Sequence, residues 1–290
     1  MPSRILVTGA TGTVGAYLVR ELSKRGELTR AAVHSEAKAW KIREANVELF
    51  EMDFSKAATV DAALKGIEKL YLLTPFAPGQ YETVGYVVKK AKESGVRYIV
   101  RQSALGSQSE AIRLFKTHRD IERSIEASGM DYTILRPNAF MQNFVNFFAD
   151  SVRRQGKIFF PLSKARVSYI DARDIAHAAA ELLSGEIKPS RSGKSYDLTG
   201  PSPMAVNDVA AMISKAIGKP VQYVDVSPEA ARAGMKEAGM PEWAIEPLLE
   251  LYAYQREGKG ELVSTAVEDI TGRRPIPFEE FIKDAAASFR

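Results

Sequence analysis

Ile5-Leu6-Val7-Thr8-Gly9-Ala10-Thr11-Gly12-Thr13-Val14-Gly15 runs from a short apolar strand through three glycines into an amphipathic helix. In such a turn Gly9 permits the tight bend, Gly12 lets the backbone approach a phosphate, and Gly15 allows the helix to pack closely on the strand. A helix starting at Thr13 offers free backbone N–H groups and the positive end of its dipole, which suits a pyrophosphate. Glycine spacing by itself is weak evidence. Here the turn is the first element, it follows a strand, and further strand–helix alternations follow it. It therefore reads as a dinucleotide-binding turn, with a purely structural glycine turn as the lesser alternative.

Working outward, short β-branched runs alternate with longer amphipathic stretches. Strands are expected at 5–7, 29–33, 47–50, 70–73, 98–100 and 132–135, with helices at 13–25, 80–94 and 110–128. That pace of alternation predicts βαβ units and a parallel sheet. Several of the strands are short unbroken apolar runs, as when helices cover both faces. Gly26, Gly66, Gly95 and Gly129 each stand between a helix and the next strand, where a left-handed residue closes a helix. Beyond Asn138 the pattern loosens. A helix at 140–152, strands at 157–160 and 167–170, a helix at 171–183 and strands near 195–198 and 221–224 are expected, the remainder being mostly helical.

The fold class predicted is α/β, a Rossmann-type doubly wound parallel sheet with a smaller C-terminal substrate lobe. Residues 1–155 form the dinucleotide-binding domain, to which 167–200 return. Residues 156–166 and 201–290 form the lobe, placed against the carboxyl ends of the strands, where open α/β sheets bind ligands.

Composition narrows the chemistry. The 290 residues are 45% hydrophobic and 26% charged, ordinary values for a globular protein. With no cysteine, disulfides, thiol catalysis and cysteine metal sites are excluded. The net charge of +4 arises from 40 basic and 36 acidic residues that are intermixed, so a nucleic-acid partner is not expected. Met1-Pro2-Ser3-Arg4 leads straight into a strand and no apolar run is long enough to span a bilayer. The expectation is a cytoplasmic protein without a membrane partner, monomeric or homodimeric.

The spacing Gly-x-x-Gly-x-x-Gly differs from the Gly-x-Gly-x-x-Gly of medium-chain dehydrogenases. Thr8-Gly9-Ala10-Thr11-Gly12-x-x-Gly15 resembles the short-chain dehydrogenase/reductase superfamily, specifically its atypical NmrA-like branch. Further matches to that branch are Tyr132-Thr133-Ile134-Leu135-Arg136-Pro137-Asn138 with Phe140, and Tyr169-Ile170-Asp171-Ala172-Arg173-Asp174-Ile175-Ala176. The resemblance covers essentially the whole chain. The branch contains NAD(P)H-dependent quinone, azo-dye and triphenylmethane-dye reductases, phenylcoumaran-type ether reductases, and catalytically silent redox-sensing regulators.

The resemblance implies a set of cofactor contacts. Gly9, Thr11, Gly12, Thr13, Val14 and Gly15 hold the pyrophosphate, and Asp53-Phe54 flank the adenine. An N-cap role is the alternative for Asp53. Thr74-Pro75-Phe76 cover the nicotinamide ribose, Gln102-Ser103 follow the fifth strand, and Pro137, Asn138 and Phe140 lie where the nicotinamide ring rests. The second strand ends Ala32-Val33-His34-Ser35-Glu36 without an acid at its tip. An acid there would hold the 2′-hydroxyl of NAD, and a basic group the 2′-phosphate of NADP. His34, with Ser35 and Lys38, favours NADP(H). NAD(H) is the alternative, since the His-Ser pair resembles the fungal regulator that named the branch and an inward-turned Glu36 would supply the acid.

Typical short-chain reductases protonate a carbonyl with the Tyr of a Tyr-x-x-x-Lys pair after the fifth strand. Aligning Ile125-Glu126-Ala127-Ser128-Gly129 with the branch places Leu114 at the Tyr and His118 at the Lys, and no tyrosine lies between Tyr98 and Tyr132. The literal match Tyr86-Val87-Val88-Lys89-Lys90 sits one unit too early and reads as an ordinary helix face. Ser103 and His118 remain as candidate catalytic residues. His118 is expected to transfer a proton near neutrality, to contact the nicotinamide ribose, or to cap local structure. Ser103 lacks a Gly-x-Ser-x-Gly elbow, which argues against a hydrolase. His34, His118 and His177 stand on different elements, so no metal is expected.

Phe76, Phe140, Phe144, Phe147, Phe148 and Tyr169, with Trp243, Tyr252 and Tyr254, suggest an aromatic-lined cleft for a flat apolar acceptor, about half of them being core only. Hydride transfer to a quinone-like or other conjugated acceptor asks little acid–base help of the protein, because the cofactor carries the hard chemistry. The expected function is an NAD(P)H-dependent reductase of such acceptors. The alternative is a non-catalytic NAD(P)-binding redox sensor.

Overall fold

The computed structural model describes residues 5–35 and 39–290. Its first half runs β1 (Ile5–Val7), α1 (Thr13–Lys24), β2 (Thr29–Val33), β3 (Val47–Glu51), α2 (Ala57–Leu64), β4 (Lys69–Leu72), α3 (Gln80–Glu93), β5 (Tyr98–Gln102), α4 (Arg113–Glu126) and β6 (Asp131–Pro137). It continues with α5 (Gln142–Gln155), β7 (Lys157–Phe160), β8 (Arg166–Val167), α6 (Ala172–Leu183), β9 (Lys194–Leu198), β10 (Met204–Ala205), α7 (Val206–Ile217) and β11 (Gln222–Asp225). The last helices are α8 (Pro228–Glu237), α9 (Glu242–Tyr254), α10 (Ala266–Thr271) and α11 (Phe278–Ala285).

Seven strands form one sheet in the order β3-β2-β1-β4-β5-β6-β9, and every pairing from β3 to β6 is parallel. The order reverses between β1 and β4, which opens a crevice at the carboxyl ends of those strands. Ile5, Leu6 and Val7 are all buried because helices cover both faces of their strand. On one face Leu6, Leu70, Leu72 and Ile99 pack with Val60, Val84, Val87, Ile121 and Ile125 of the covering helices. On the other face α1 lies against α6. Gly26, Gly66, Gly95 and Gly129 all have positive φ, as helix-closing residues do.

The chain divides into two compact units. The first comprises residues up to Ala111, Phe115–Arg136 and Ala172–Asp197, and the second Ile112–Leu114, Pro137–Asp171 and Leu198–Arg290. The second unit thus takes up the chain at Pro137, earlier than the boundary after 155 read from the sequence. The reason is α5, whose Phe144, Ala149 and Val152 pack with Ile158, Phe160, Tyr169, Ile213 and Phe278 in the second unit's own core. The strand expected at 167–170 is also shorter. Ser168 N donates to the Gly260 carbonyl at 3.0 Å, and Ile170 makes an isolated parallel bridge to Phe140.

Candidate functional site

The turn after β1 is built by its own glycines. Gly9 has φ +64°, which favours glycine, and its carbonyl accepts from Gly12 N at 2.9 Å. A β-carbon on Gly15 would stand 2.1 Å from the Gly9 oxygen and 2.9 Å from the Ala10 Cα. The close approach expected at Gly15 is therefore to the turn itself. Gly12 is the extended N-cap residue of α1 and supplies no side-chain cap. The first-turn N–H groups, those of Thr13 and Val14 included, have no acceptor within the helix. The Val14 side chain is buried, so only its backbone can serve a ligand. Thr8 ties the turn to the neighbouring strand. Its hydroxyl donates to the Leu73 carbonyl at 2.7 Å and accepts from Leu73 N at 2.8 Å.

A cavity of about 610 Å³ opens at the crevice, lined by Gly9, Thr11, Gly12, His34, Asp53, Phe54, Thr74, Pro75 and Gln80 among others. The Asp53 carboxylate accepts from Ser55 N at 2.9 Å and Ser55 Oγ at 2.7 Å. These bonds, with the charges of Lys56 and His34, hold it below the usual carboxylate range. Asp53 is not the N-cap of α2, a position that Lys56 takes. Of the expected ribose contacts, His34 is exposed at the cavity and Ser35 half-buried beside it, while Glu36 and Lys38 lie outside the described residues. Gln80 was not singled out by the sequence. Its Nε2 donates to Thr74 Oγ1 at 2.9 Å, and its buried Oε1 has no partner among the described residues. A glycine cradle with no room for a β-carbon at Gly15, an open cavity and an unsatisfied acceptor in its wall fit a dinucleotide.

A polar cluster stands where β5 ends. Ser103 is buried, and its hydroxyl donates to Glu122 Oε1 at 2.6 Å. Ser107 Oγ and Arg136 Nε reach the same oxygen at 2.7 and 3.0 Å. Glu122 Oε2 accepts from Arg136 Nη2 at 2.7 Å and from Arg119 Nη1 at 3.1 Å. Glu122 is 0% exposed. Burial pushes its pKa up, but the hydrogen bonds from Arg136, Ser103 and Ser107 win and hold it at about 2. His118 Nδ1 lies 3.5 Å from Ser103 Oγ. Arg101, wholly buried on β5, donates from Nη1 to the Leu72 carbonyl at 3.0 Å, and its Nε and Nη2 have no partner among the described residues. The sequence reading missed Glu122, Arg136 and Arg101. The available signal was Glu122 one helical turn beyond His118.

One expectation needs correction. His118 does not titrate near neutrality. Burial, then the Arg101 charge, lower its pKa to about 3, against a smaller upward pull from Glu122. Asn138 uses its side chain for structure: Nδ2 donates to the Gly260 carbonyl at 2.9 Å and Oδ1 accepts from Ala139 N at 2.8 Å. Phe144 and Tyr169 are core residues in edge-on contact at 5.0 Å, and Tyr252 packs on Phe160 at 4.8 Å. Phe147 and Trp243 are exposed, Phe140 half-buried, and Phe76 lies at the surface. Tyr86 donates to Asp61 at 2.9 Å and Lys90 pairs with Glu93, both on the surface of the first unit. Among the described residues no helix is long and apolar enough to cross a membrane, and no group of three or more His, Asp or Glu could hold a metal.

Comparison with known proteins gives a family model, described as the NmrA-like family, that matches residues 1–282. An NAD(P)H azoreductase from Xenophilus azovorans is 34% identical over 98% of this chain and 99% of its own. An NADPH-dependent quinone oxidoreductase from Escherichia coli, solved with NADPH, superposes with a TM-score of 0.85 at 26% identity, covering 97% of this chain and 99% of that one. A triphenylmethane reductase from Citrobacter superposes equally well, with a TM-score of 0.85 at 26% identity over 98% of this chain and 99% of its own.

Proposed function

The chain belongs to the NmrA-like family, and from that premise we propose that it is an NADPH-dependent reductase of quinone-like or other conjugated apolar acceptors. The observation that carries the reading is the cavity that begins at the glycine turn and extends past His34 and Asp53. The backbone N–H groups of Thr11 to Gly15 hold the pyrophosphate, Asp53 and Phe54 take the adenine end, and His34 donates to the ribose 2′-phosphate. Thr74 and Gln80 position the ribose on the nicotinamide side. NAD(H) is the second choice of cofactor. When bound, the reduced nicotinamide supplies a hydride.

The polar cluster supports the choice of acceptor. The Ser103 hydroxyl donates its hydrogen bond to the Glu122 carboxylate, and the His118 pKa is lowered to about 3. Neither is a ready acid at neutral pH. A simple ketone needs such an acid as its oxygen charges up. A quinone, an azo dye or a cationic dye takes hydride without one, and water supplies any proton afterwards. The residues named here bind, orient and exclude water.

The test is NADPH oxidation in the presence of a panel of quinones, azo dyes and triphenylmethane dyes. Turnover on at least one class is expected. Micromolar NADPH binding without turnover on any of them would replace this reading with that of a redox-sensing binding protein.

A further inference from the structure

We infer that Glu122 is a positioning residue that works through Ser103 to fix His118 as a hydrogen-bond acceptor at Nε2. A hydroxyl has one proton and two lone pairs. The Ser103 hydroxyl donates its one proton toward Glu122 Oε1 at 2.6 Å, a short charge-assisted bond. Glu122 Oε1 also accepts from Ser107 and Arg136, and Oε2 from Arg136 and Arg119. The carboxylate is therefore saturated with donors and stays ionised. Turning the Ser103 proton elsewhere would strip one of those donors from a buried charge.

Toward His118, Ser103 Oγ then has only lone pairs to offer, so the approach of Nδ1 to 3.5 Å favours the tautomer with its proton on Nδ1. The two charged groups facing the ring are Arg101, on β5, and Glu122, on its own helix. Arg101 is fully buried, its Nε and Nη2 have no partner among the described residues, and it opposes a second positive charge beside it. The ring is consequently neutral, and a neutral ring protonated at Nδ1 is bare at Nε2. Nε2 can take a hydrogen bond from a hydroxyl of the cofactor ribose or of a hydroquinone product. It cannot deliver the proton that follows the hydride. This deepens the reductase reading and rests on it for its chemical consequence, but the tautomer can be measured with neither cofactor nor substrate present.

The sequence contains three histidines, so the imidazole nitrogens of the full-length, isotope-labelled protein are readily assigned by NMR, with His118→Gln identifying its own signals. The expected pattern is a protonated Nδ1 and a bare Nε2 on His118 at neutral pH. Ser103→Ala removes the acceptor and is expected to yield a mixture of tautomers, whereas Ser103→Thr keeps the hydroxyl and restores the single form. Glu122→Gln is expected to move the proton to Nε2, because its amide donates to Ser103 and turns the hydroxyl toward Nδ1. A protonated Nε2 in the unmodified protein overturns the inference, as does a pattern unchanged in both Ser103→Ala and Glu122→Gln. If Glu122→Gln does not fold, the Ser103 pair decides alone. A failed tautomer prediction leaves NADPH-dependent turnover untouched, and absent turnover leaves the tautomer measurable.

Discussion

Gly15 lies so close beneath Gly9 that any β-carbon there would stand 2.1 Å from the Gly9 carbonyl oxygen and 2.8 Å from its carbonyl carbon. Those are backbone atoms of a tight turn and cannot rotate away. Gly15→Ala should force the turn outward, costing about 1–3 kcal/mol as overpacking does. It should also weaken NADPH binding by roughly tenfold or more, since about 1.4 kcal/mol is a factor of ten. Gly26→Ala is the control. It has positive φ, as Gly15 does not, but a β-carbon there meets nothing within 4 Å. It should lose about 1 kcal/mol through backbone strain while leaving cofactor affinity unchanged. Melting curves and a cofactor titration read both effects, and an unchanged affinity in Gly15→Ala would refute the placement of the pyrophosphate.

That turn was legible in the sequence because it is local. Gly9, Gly12, Gly15 and the strand before them act within a few residues, so spacing alone announces them. The parallel strands were equally plain from their apolar runs. Glu122 was not legible for the opposite reason. It lies on an amphipathic helix among Arg119, Asp120 and Arg123, where an acid ordinarily faces solvent. Only the fold brings Ser103 from β5, Arg136 from β6 and Ser107 onto it. The His118 value was misread likewise, since the burial and the Arg101 charge that lower it come from tertiary structure. The bond from the Asn138 side chain to Gly260 was likewise not legible, because only the fold brings that distant carbonyl near.

Arg136 and Glu122 form a bidentate pair whose exposures are 13% and 0%. Removing one partner of a buried pair leaves an uncompensated charge and typically costs about 3–5 kcal/mol. Arg136→Leu should fall near the lower end, because Arg119, Ser103 and Ser107 remain as donors. The double variant Arg136→Leu/Glu122→Leu should be more stable than Arg136→Leu alone, since it removes the stranded carboxylate. Denaturant unfolding of the three proteins checks this. A double variant no more stable than the single one would show that packing, and not the buried charge, dominates.

Acid should destabilise the fold in two overlapping windows. His118 is about 3 when folded against 6.5 unfolded, and Glu122 about 2 against 4.5. Both values are depressed, so the unfolded chain binds protons that the folded one refuses, and stability drops as pH falls. The His118 share is present above about pH 6.5 and is lost toward 3, and the Glu122 share is present above about 4.5 and is lost toward 2. His118→Gln should reduce the dependence of unfolding free energy on pH between 6 and 4 by about one proton. Identical slopes for the two proteins would mean that His118 titrates normally. The same depression predicts a kcat/KM without a His118 inflection between about pH 5 and 8.

Phe144 and Phe147 are neighbours on α5 with opposite fates, the first 1% exposed and the second 57%. Phe144 meets Phe148, Tyr169 and Phe278 with ring centroids 6.0, 5.0 and 5.7 Å away. Truncating it opens a cavity in the second unit's core, so Phe144→Ala should cost about 3–5 kcal/mol. Phe147 touches Phe148 at 6.5 Å but otherwise faces outward. Phe147→Ala should therefore change stability by no more than about 0.5 kcal/mol. If an exposed aromatic of this kind contacts the acceptor, its loss should raise KM for a quinone or dye while leaving NADPH affinity and melting temperature in place. An unaltered KM would remove Phe147 from the substrate side and leave it as an ordinary surface ring.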